Sequence, residues 1–230
     1  MSKKKKGFLI VIFIILDICL IIGLLVIKDA TMANDLEKEA KLLEEYSFTR
    51  DNYKTKIKTR GSYSEVEKAM KNYLDEYATS LQEVLQIARD DKITKVLSYD
   101  NYKNDGKEFK KSLKYLEDTE NKYNENMKKL NTMLSDEDII NYGEKNIVGS
   151  NYLDLYKKYM LSDEMKKNYE DSKKLVGEIG PKIGNVLKTS KEVLNFLVKN
   201  EKSWKLEDNE IKFKTKDLYD EYTKLIKKLN

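Results

Sequence analysis

The sequence predicts a mainly α-helical protein. We expect an N-terminal transmembrane helix, followed by an extracytoplasmic antiparallel helical bundle that ends in a small β-hairpin and a final helix. Three observations predict this fold: one long apolar run near the N terminus, apolar residues spaced by three and four along most of the chain, and a composition poor in turn residues. With nine Gly and one Pro among 230 residues, of which 37% are charged, a turn-rich sandwich or barrel is disfavoured.

The apolar run covers residues 8–27, where 17 of the 20 positions are Leu, Ile, Val or Phe. Twenty helical residues cross a hydrocarbon core of about 30 Å, so residues 8–28 are predicted to be a signal-anchor helix. The basic tail, residues 1–7, carries four consecutive lysines and is predicted to be cytoplasmic, which places the bulk of the chain outside the cell membrane. Cleavage after Ala33 is the alternative, but the run is longer than a typical signal-peptide core.

Charge and composition exclude several functions. The chain has 44 basic and 40 acidic residues, and the excess lies entirely in residues 1–28, so the body offers no basic field for nucleic acid. It has no His and one Cys, which excludes an intrachain disulfide, multi-Cys metal sites and histidine chemistry. We therefore predict no cofactor, no metal and no enzymatic activity. The absence of disulfides outside the membrane favours a bacterial surface over an animal secretory pathway.

Residues 29–61 are predicted to be a stalk or linker. Asn34 is placed at the N-cap of a short helix with one apolar face (Leu36, Ala40, Leu43), and residues 53–59 alternate as a strand would, although a fraying helix fits them too. The helical domain then covers residues 62–230. Its first helix begins at a capping box at Ser62 and turns one face inward (Val66, Met70, Tyr73, Tyr77, Leu81, Val84, Ala88).

After a polar loop, a second long helix is predicted to begin with Asp105 at its N-cap, and Ser135 and Ser162 are read as later caps. From Met165 the apolar phase continues through Pro181 without slipping, so one long kinked helix is predicted, with a break as the alternative. Three glycines on one face of it (Gly177, Gly180, Gly184) suggest that a neighbouring helix lies close.

In the C-terminal region the spacing of apolar residues changes from a helical period to the alternation of a strand. Around the turn pair Asp208-Asn209, apolar and charged residues alternate, which predicts a hairpin over residues 203–214. A third strand from residues 53–59 could join it. Thr215 is predicted to cap the final helix.

No nucleotide-binding or hydrolase motif is present. The 16 tyrosines are the clearest candidates for binding, because exposed rings could stack on sugars or peptides. Five of them fall on inward faces and are assigned to the core (Tyr73, Tyr77, Tyr123, Tyr169, Tyr222). The candidate binding surface consists of five others (Tyr99, Tyr102, Tyr152, Tyr156, Tyr159).

A second candidate site lies in the predicted membrane helix. Asp17 falls near the bilayer midplane, where an acid is rare and usually pairs with a partner or faces a cavity. Cys19 and Gly23 have the small-xxx-small spacing that permits close helix contact. These three residues predict contact with a partner helix, either of another protein or of a second copy of this chain in a homo-oligomer.

The plan resembles, in outline, the extracytoplasmic helical domains of bacterial sensor proteins, which would carry a second membrane helix and a cytoplasmic output domain. The sequence supplies neither, so a non-catalytic binding or scaffold module of a bacterial cell envelope is expected, with an envelope protein, a peptide or a wall polymer as partner. The alternative is an accessory or sensory subunit of a membrane complex assembled through Asp17.

Overall fold

The structure is a computed structural model that describes residues 25–45 and 56–229. These form two compact units. The first contains residues 25–45, 56–75 and Asp136–Lys166, and the second contains Glu76–Ser135 and residues 167–229. The described chain is mostly helical with one small hairpin, which confirms the predicted mainly α class. Its helices are α1 (25–44), α2 (Ser62–Arg89), α3 (Lys92–Lys95), α4 (Tyr99–Asp105), α5 (Lys110–Thr132), α6 (Asp136–Asn146), α7 (Ser150–Met160), α8 (Asp163–Lys199) and α9 (Lys216–Lys227).

Helix α1 packs as part of the first unit. Its predicted apolar face is buried at Leu36, Ala40 and Leu43, whereas residues 25–31 are exposed. The stretch after residue 31 therefore does not stand alone as a stalk. The predicted cap at Asn34 is wrong, because the chain is already helical from residue 25 and Asn34 lies within α1. The apolar residues that precede Lys28 are as compatible with a helix as those that follow it, so nothing in the sequence stops the helix there.

Helix α2 runs Ser62–Arg89, so Ser62, which was predicted as its N-cap, is its first residue. Six of its seven predicted inward residues are buried. The exception is Ala88, which is exposed, while Ile87 is buried in its place. The inward face therefore shifts by one residue in the last turn. Residues 56–60, which precede α2, are not a strand, so they do not extend the hairpin, and residues 53–55 lie outside the described part.

The region predicted as a polar loop is largely the helix α4. The Ser98 hydroxyl caps it by accepting a hydrogen bond from Asn101 N at 3.2 Å, and Gly106 ends it at a φ of 75°. Helix α5 starts at Lys110, so Asp105 is not its adjacent cap. Its carboxylate nevertheless accepts from the backbone N–H groups of Lys111 and Ser112, at 3.2 and 2.8 Å, and caps α5 from across the turn.

Helix α8 is one continuous helix of 37 residues that includes Pro181, as predicted. The expected close neighbour is α5, which lies against two of the three glycines. A Cβ at Gly180 would lie 2.5 Å from Met127 Cε, and one at Gly184 would lie 3.0 Å from the Tyr123 hydroxyl. Gly177 has no such atom within 4 Å. The Tyr123 hydroxyl donates to the Gly180 carbonyl at 2.7 Å, which side chains at these positions would obstruct.

The hairpin joins β1 (Trp204–Glu207) to β2 (Glu210–Phe213), with Trp204 opposite Phe213 and Leu206 opposite Ile211. Asp208 and Asn209 have φ of 51° and 59°, the pair of positive values that a type I′ turn needs. The apolar side packs inward. The Trp204 ring stacks on Phe109, with centroids 6.0 Å apart, and its indole N–H donates to the Leu197 carbonyl at 2.8 Å. Within the described residues the sheet has these two strands alone. The Thr215 side chain caps α9, as predicted.

Candidate functional sites

A polar groove of about 670 Å³ lies in the second unit between α3, α4 and α5. Its shape depends on Asn101, whose side-chain amide donates to the Val96 carbonyl at 2.7 Å and to the Ser112 hydroxyl at 2.9 Å. These two bonds fasten α4 to the end of α3 and to the first turn of α5. The lining contains three lysines and one acid (Lys92, Lys95, Lys111, Asp100), together with polar side chains (Ser98, Asn101, Asn104, Ser112).

The lining itself contains three lysines and one acid, and further acids flank the lysines: Asp90 lies near Lys92 and Asp105 lies near Lys111. Lys95 forms an ion pair with Asp91, whereas none of the ion pairs within residues 25–45 and 56–229 uses Lys92 or Lys111. The Lys92 ammonium instead lies 5.9 Å from the centroid of the Tyr115 ring. Lys92 and Lys111 are thus exposed and form no ion pair among the described residues, although each interacts electrostatically with a nearby acid, Asp90 and Asp105 respectively.

Tyr115 forms the wall of the groove and is held in place by Asp90, to which its hydroxyl donates at 2.6 Å. Burial and the negative charge of Asp90 raise the pKa of Tyr115 to about 12. The hydrogen bond from Tyr115, together with the one from Lys92 N, lowers the pKa of Asp90. Near neutral pH Tyr115 is thus a neutral donor and Asp90 is an anion.

The structure buries two of the five tyrosines assigned to the binding surface. Tyr102, in the second unit, is 3% exposed. Its ring lies edge-on to Phe109 at 5.3 Å, and its hydroxyl is 3.3 Å from that of Tyr222. Burial raises the pKa of Tyr102. Tyr102 is therefore a core residue, while Tyr99 in the same unit is partly exposed.

Tyr156, in the first unit, is fully buried, so it cannot serve as an exposed platform. Its hydroxyl has no hydrogen-bond partner among the residues that the structure describes, and burial raises its pKa. Gly143 makes room for it, since a Cβ there would lie 2.6 Å from the Tyr156 ring. Tyr152 and Tyr159, on the same helix, are partly exposed and remain accessible. Of the five tyrosines assigned to the core, four are buried (Tyr73, Tyr77, Tyr123, Tyr169) and Tyr222 is partly exposed.

Interactions of α1 with α7 and its flanking residues follow the same order along both segments, which indicates that the two helices run side by side in the same direction. Near their beginnings, the Tyr63 ring meets Tyr152 edge-on at 5.2 Å, and burial together with the interaction with Asp29 raises the pKa of Tyr63. Further along, burial and the charge of Glu37 raise the pKa of Tyr159. At their far ends, the Ser162 hydroxyl donates to Glu44 at 2.8 Å.

The first unit also buries an ion-pair network that the sequence analysis missed. The Lys71 ammonium donates to Glu67 at 2.6 Å, to Glu39 at 2.7 Å and to the Lys56 carbonyl at 2.9 Å. Glu67 is fully buried and also accepts from Thr59 N, at 2.8 Å, and from Lys58 N. The network joins α1, α2 and the segment before α2.

The available signal for this network was the placement of Glu67 and Lys71, four residues apart and each directly after an inward apolar position. Burial alone would raise the pKa of Glu67, but the hydrogen bonds from Lys71 and Thr59 outweigh it and lower the pKa below 4.5. Glu67 is thus a buried carboxylate held in its charged form. Its partners are all within the protein, so it is a structural element.

Asp17, Cys19 and Gly23 lie outside the described residues, as does most of the predicted membrane helix. In the part that the structure describes, no helix is both long enough and apolar enough to cross a membrane. The same part contains no group of three or more metal-ligating side chains.

No protein-family model matches the chain, no curated protein matches it, and no solved structure matches it. Function is therefore inferred from the chain's own residues.

Proposed function

We propose that this protein is a membrane-anchored, non-catalytic binding module of a bacterial cell envelope. Residues 8–28 anchor it, the N-terminal tail is cytoplasmic, and both units lie outside the cell membrane. The single observation that carries the binding role is the groove of about 670 Å³ with three lysines and one acid in its lining. We assign to it an anionic partner, for which a phosphate-bearing wall polymer has the required chemistry.

Two further observations support the proposal. Leu25, Val26 and Ile27, the end of the apolar run, are helical and 60–64% exposed, as expected for residues that continue into an apolar environment. The body from residue 29 onward has equal numbers of acidic and basic residues. A local cluster such as the groove is therefore where an anion would be attracted.

The location can be tested by cysteine labelling of the full chain in intact bacterial cells. In a Cys19→Ala background, an impermeant maleimide should label Asp163→Cys, which is exposed, but should label Ser2→Cys only after lysis. The reverse pattern would overturn the proposed orientation, and labelling of neither site before lysis would place the body inside the cell.

The groove can be tested with the full chain in detergent and polyglycerol phosphate as the probe. Replacing both Lys92 and Lys111 by Gln should weaken binding by about tenfold or more, because each removes a charge-assisted hydrogen bond. The matched control changes Lys202 and Lys216 to Gln, which removes the same charge from exposed positions of the same unit. Equal losses in the two double variants, or no loss in either, would contradict a role for the groove.

A second candidate function, an accessory subunit assembled through the membrane helix, is favoured by Asp17 alone. An acid near the bilayer midplane is expected to face a partner. Partners captured from detergent extract should be retained by the Asp17→Leu variant if the binding module is correct. They should be lost from it, and retained by the groove variant, if the accessory subunit is correct.

A further inference from the structure

We propose that one end of the first unit rests on the lipid surface around the anchor, and that it does so through Tyr63, Val148 and Tyr152. We call these three residues the tyrosine end. The inference rests on the proposed function, because it takes residues 8–28 as the membrane-spanning segment. Its partner is the interfacial layer of the bilayer into which the chain's own anchor is inserted.

The depth of the tyrosine end follows from Asp29. Asp29 is two residues beyond Ile27, the last apolar residue of the predicted span, and two helical residues rise by about 3 Å. The polar layer on each side of the hydrocarbon core is about 6 Å thick. Asp29 therefore falls within this layer, and Tyr63, which interacts with Asp29, lies beside it.

The direction of α7 places the preceding loop at the same end. Since α7 runs alongside α1 in the same direction, its first turn is its nearest part to the anchor and its last turn is farthest from it. Tyr152 lies in that first turn and contacts Tyr63 at 5.2 Å. Val148 precedes Tyr152 by four residues, in the loop that leads into the first turn of α7, so it belongs to the same end of the unit.

The chemistry of this end fits a lipid surface. Val148 is 79% exposed, the largest exposed fraction among the exposed large apolar side chains of the described residues. Val148 is followed by Gly149, which has a φ of 97° and lies against Tyr152, since a Cβ at Gly149 would be 3.5 Å from that ring. Tyrosine rings at the headgroup level, with an apolar side chain reaching further in, are typical of proteins seated at a bilayer interface. Leu25, Val26 and Ile27, which precede Asp29 on α1, are also exposed apolar residues.

The test is fluorescence quenching with the full chain reconstituted in phosphatidylcholine vesicles that contain a lipid spin-labelled at its headgroup. An environment-sensitive fluorophore is attached to Val148→Cys in a Cys19→Ala background. The matched control is Asp163→Cys, which is exposed in the same unit and adjoins Ser162, the residue that bonds to Glu44. Glu44 is fifteen residues along α1 from Asp29, or about 22 Å. Quenching should be about threefold or more greater for the Val148 label, because 22 Å exceeds the thickness of the interfacial layer.

Three outcomes separate this inference from the proposed function. Preferential quenching of the Val148 label supports it. Equal quenching of the two labels, in protein that floats with the vesicles, would overturn contact by the tyrosine end while leaving the anchor in place. Protein that does not float with the vesicles would overturn the anchor, and the inference with it.

Discussion

Replacing Lys71 by Met is expected to lower the free energy of unfolding by about 3–5 kcal/mol, because it leaves a buried carboxylate without its cation. The Lys71 side chain is 2% exposed, and its partners Glu67 and Glu39 are 0% and 14% exposed. Chemical denaturation of the full chain in detergent, followed by circular dichroism, measures the loss. Lys68→Met is the matched control, since Lys68 lies on the same helix and is exposed.

The same variant should show a characteristic pH dependence. In the native chain the lowered pKa of Glu67 contributes stability that is complete above about 4.5 and is lost as the pH falls through the lower folded-state value. Without Lys71, only the hydrogen bonds from Thr59 and Lys58 oppose the effect of burial, so the pKa of Glu67 should be higher than in the native chain. Protonation of Glu67 on acidification should then relieve the penalty of the unpaired charge. The difference between native and variant should thus be largest at neutral pH. A difference that does not change with pH, or a variant as stable as the native chain, would show that the network contributes little.

The second large effect is expected at Gly180. A leucine there must displace the Met127 methyl group and disturb the Tyr123 hydrogen bond, so Gly180→Leu should lower the free energy of unfolding by about 1–3 kcal/mol. At Gly177, where no atom would contact a Cβ, alanine should raise it by up to about 1 kcal/mol through helix propensity. Fluorescence of the single tryptophan, Trp204, follows unfolding of the second unit, to which both glycines belong. Stabilisation by both changes would show that α5 does not constrain this face of α8.

The spacing of apolar residues predicted those helices that bury one regular apolar face. Helices α2 and α8 were both found with nearly the predicted bounds, because their inward residues recur at helical spacing. The hairpin was found because Asp208-Asn209 can adopt positive φ at low cost.

The rest depended on contacts between distant residues. Helix α4 is short and polar, so no apolar periodicity predicted it. It is stabilised by the hydrogen bonds of Asn101 to residues outside the helix. From the sequence alone Lys71 is predicted to be solvated, because its partner Glu39 lies 32 positions away and meets it only in the folded chain. The groove likewise requires α3, α4 and α5 to meet, so its lysines were not distinguishable from the many others in the sequence.

The parallel arrangement of α1 and α7 has a mechanical consequence. If the anchor is pulled while a partner holds the body, the force acts along the axis of α1. Helix α1 can then leave only by sliding past its neighbours. Its contacts therefore resist together rather than one after another: the Glu39–Lys71 and Glu44–Ser162 bonds and the burial of Leu36, Ala40 and Leu43. This loading in shear would suit the proposed membrane tether, which must hold the body while its partner is displaced.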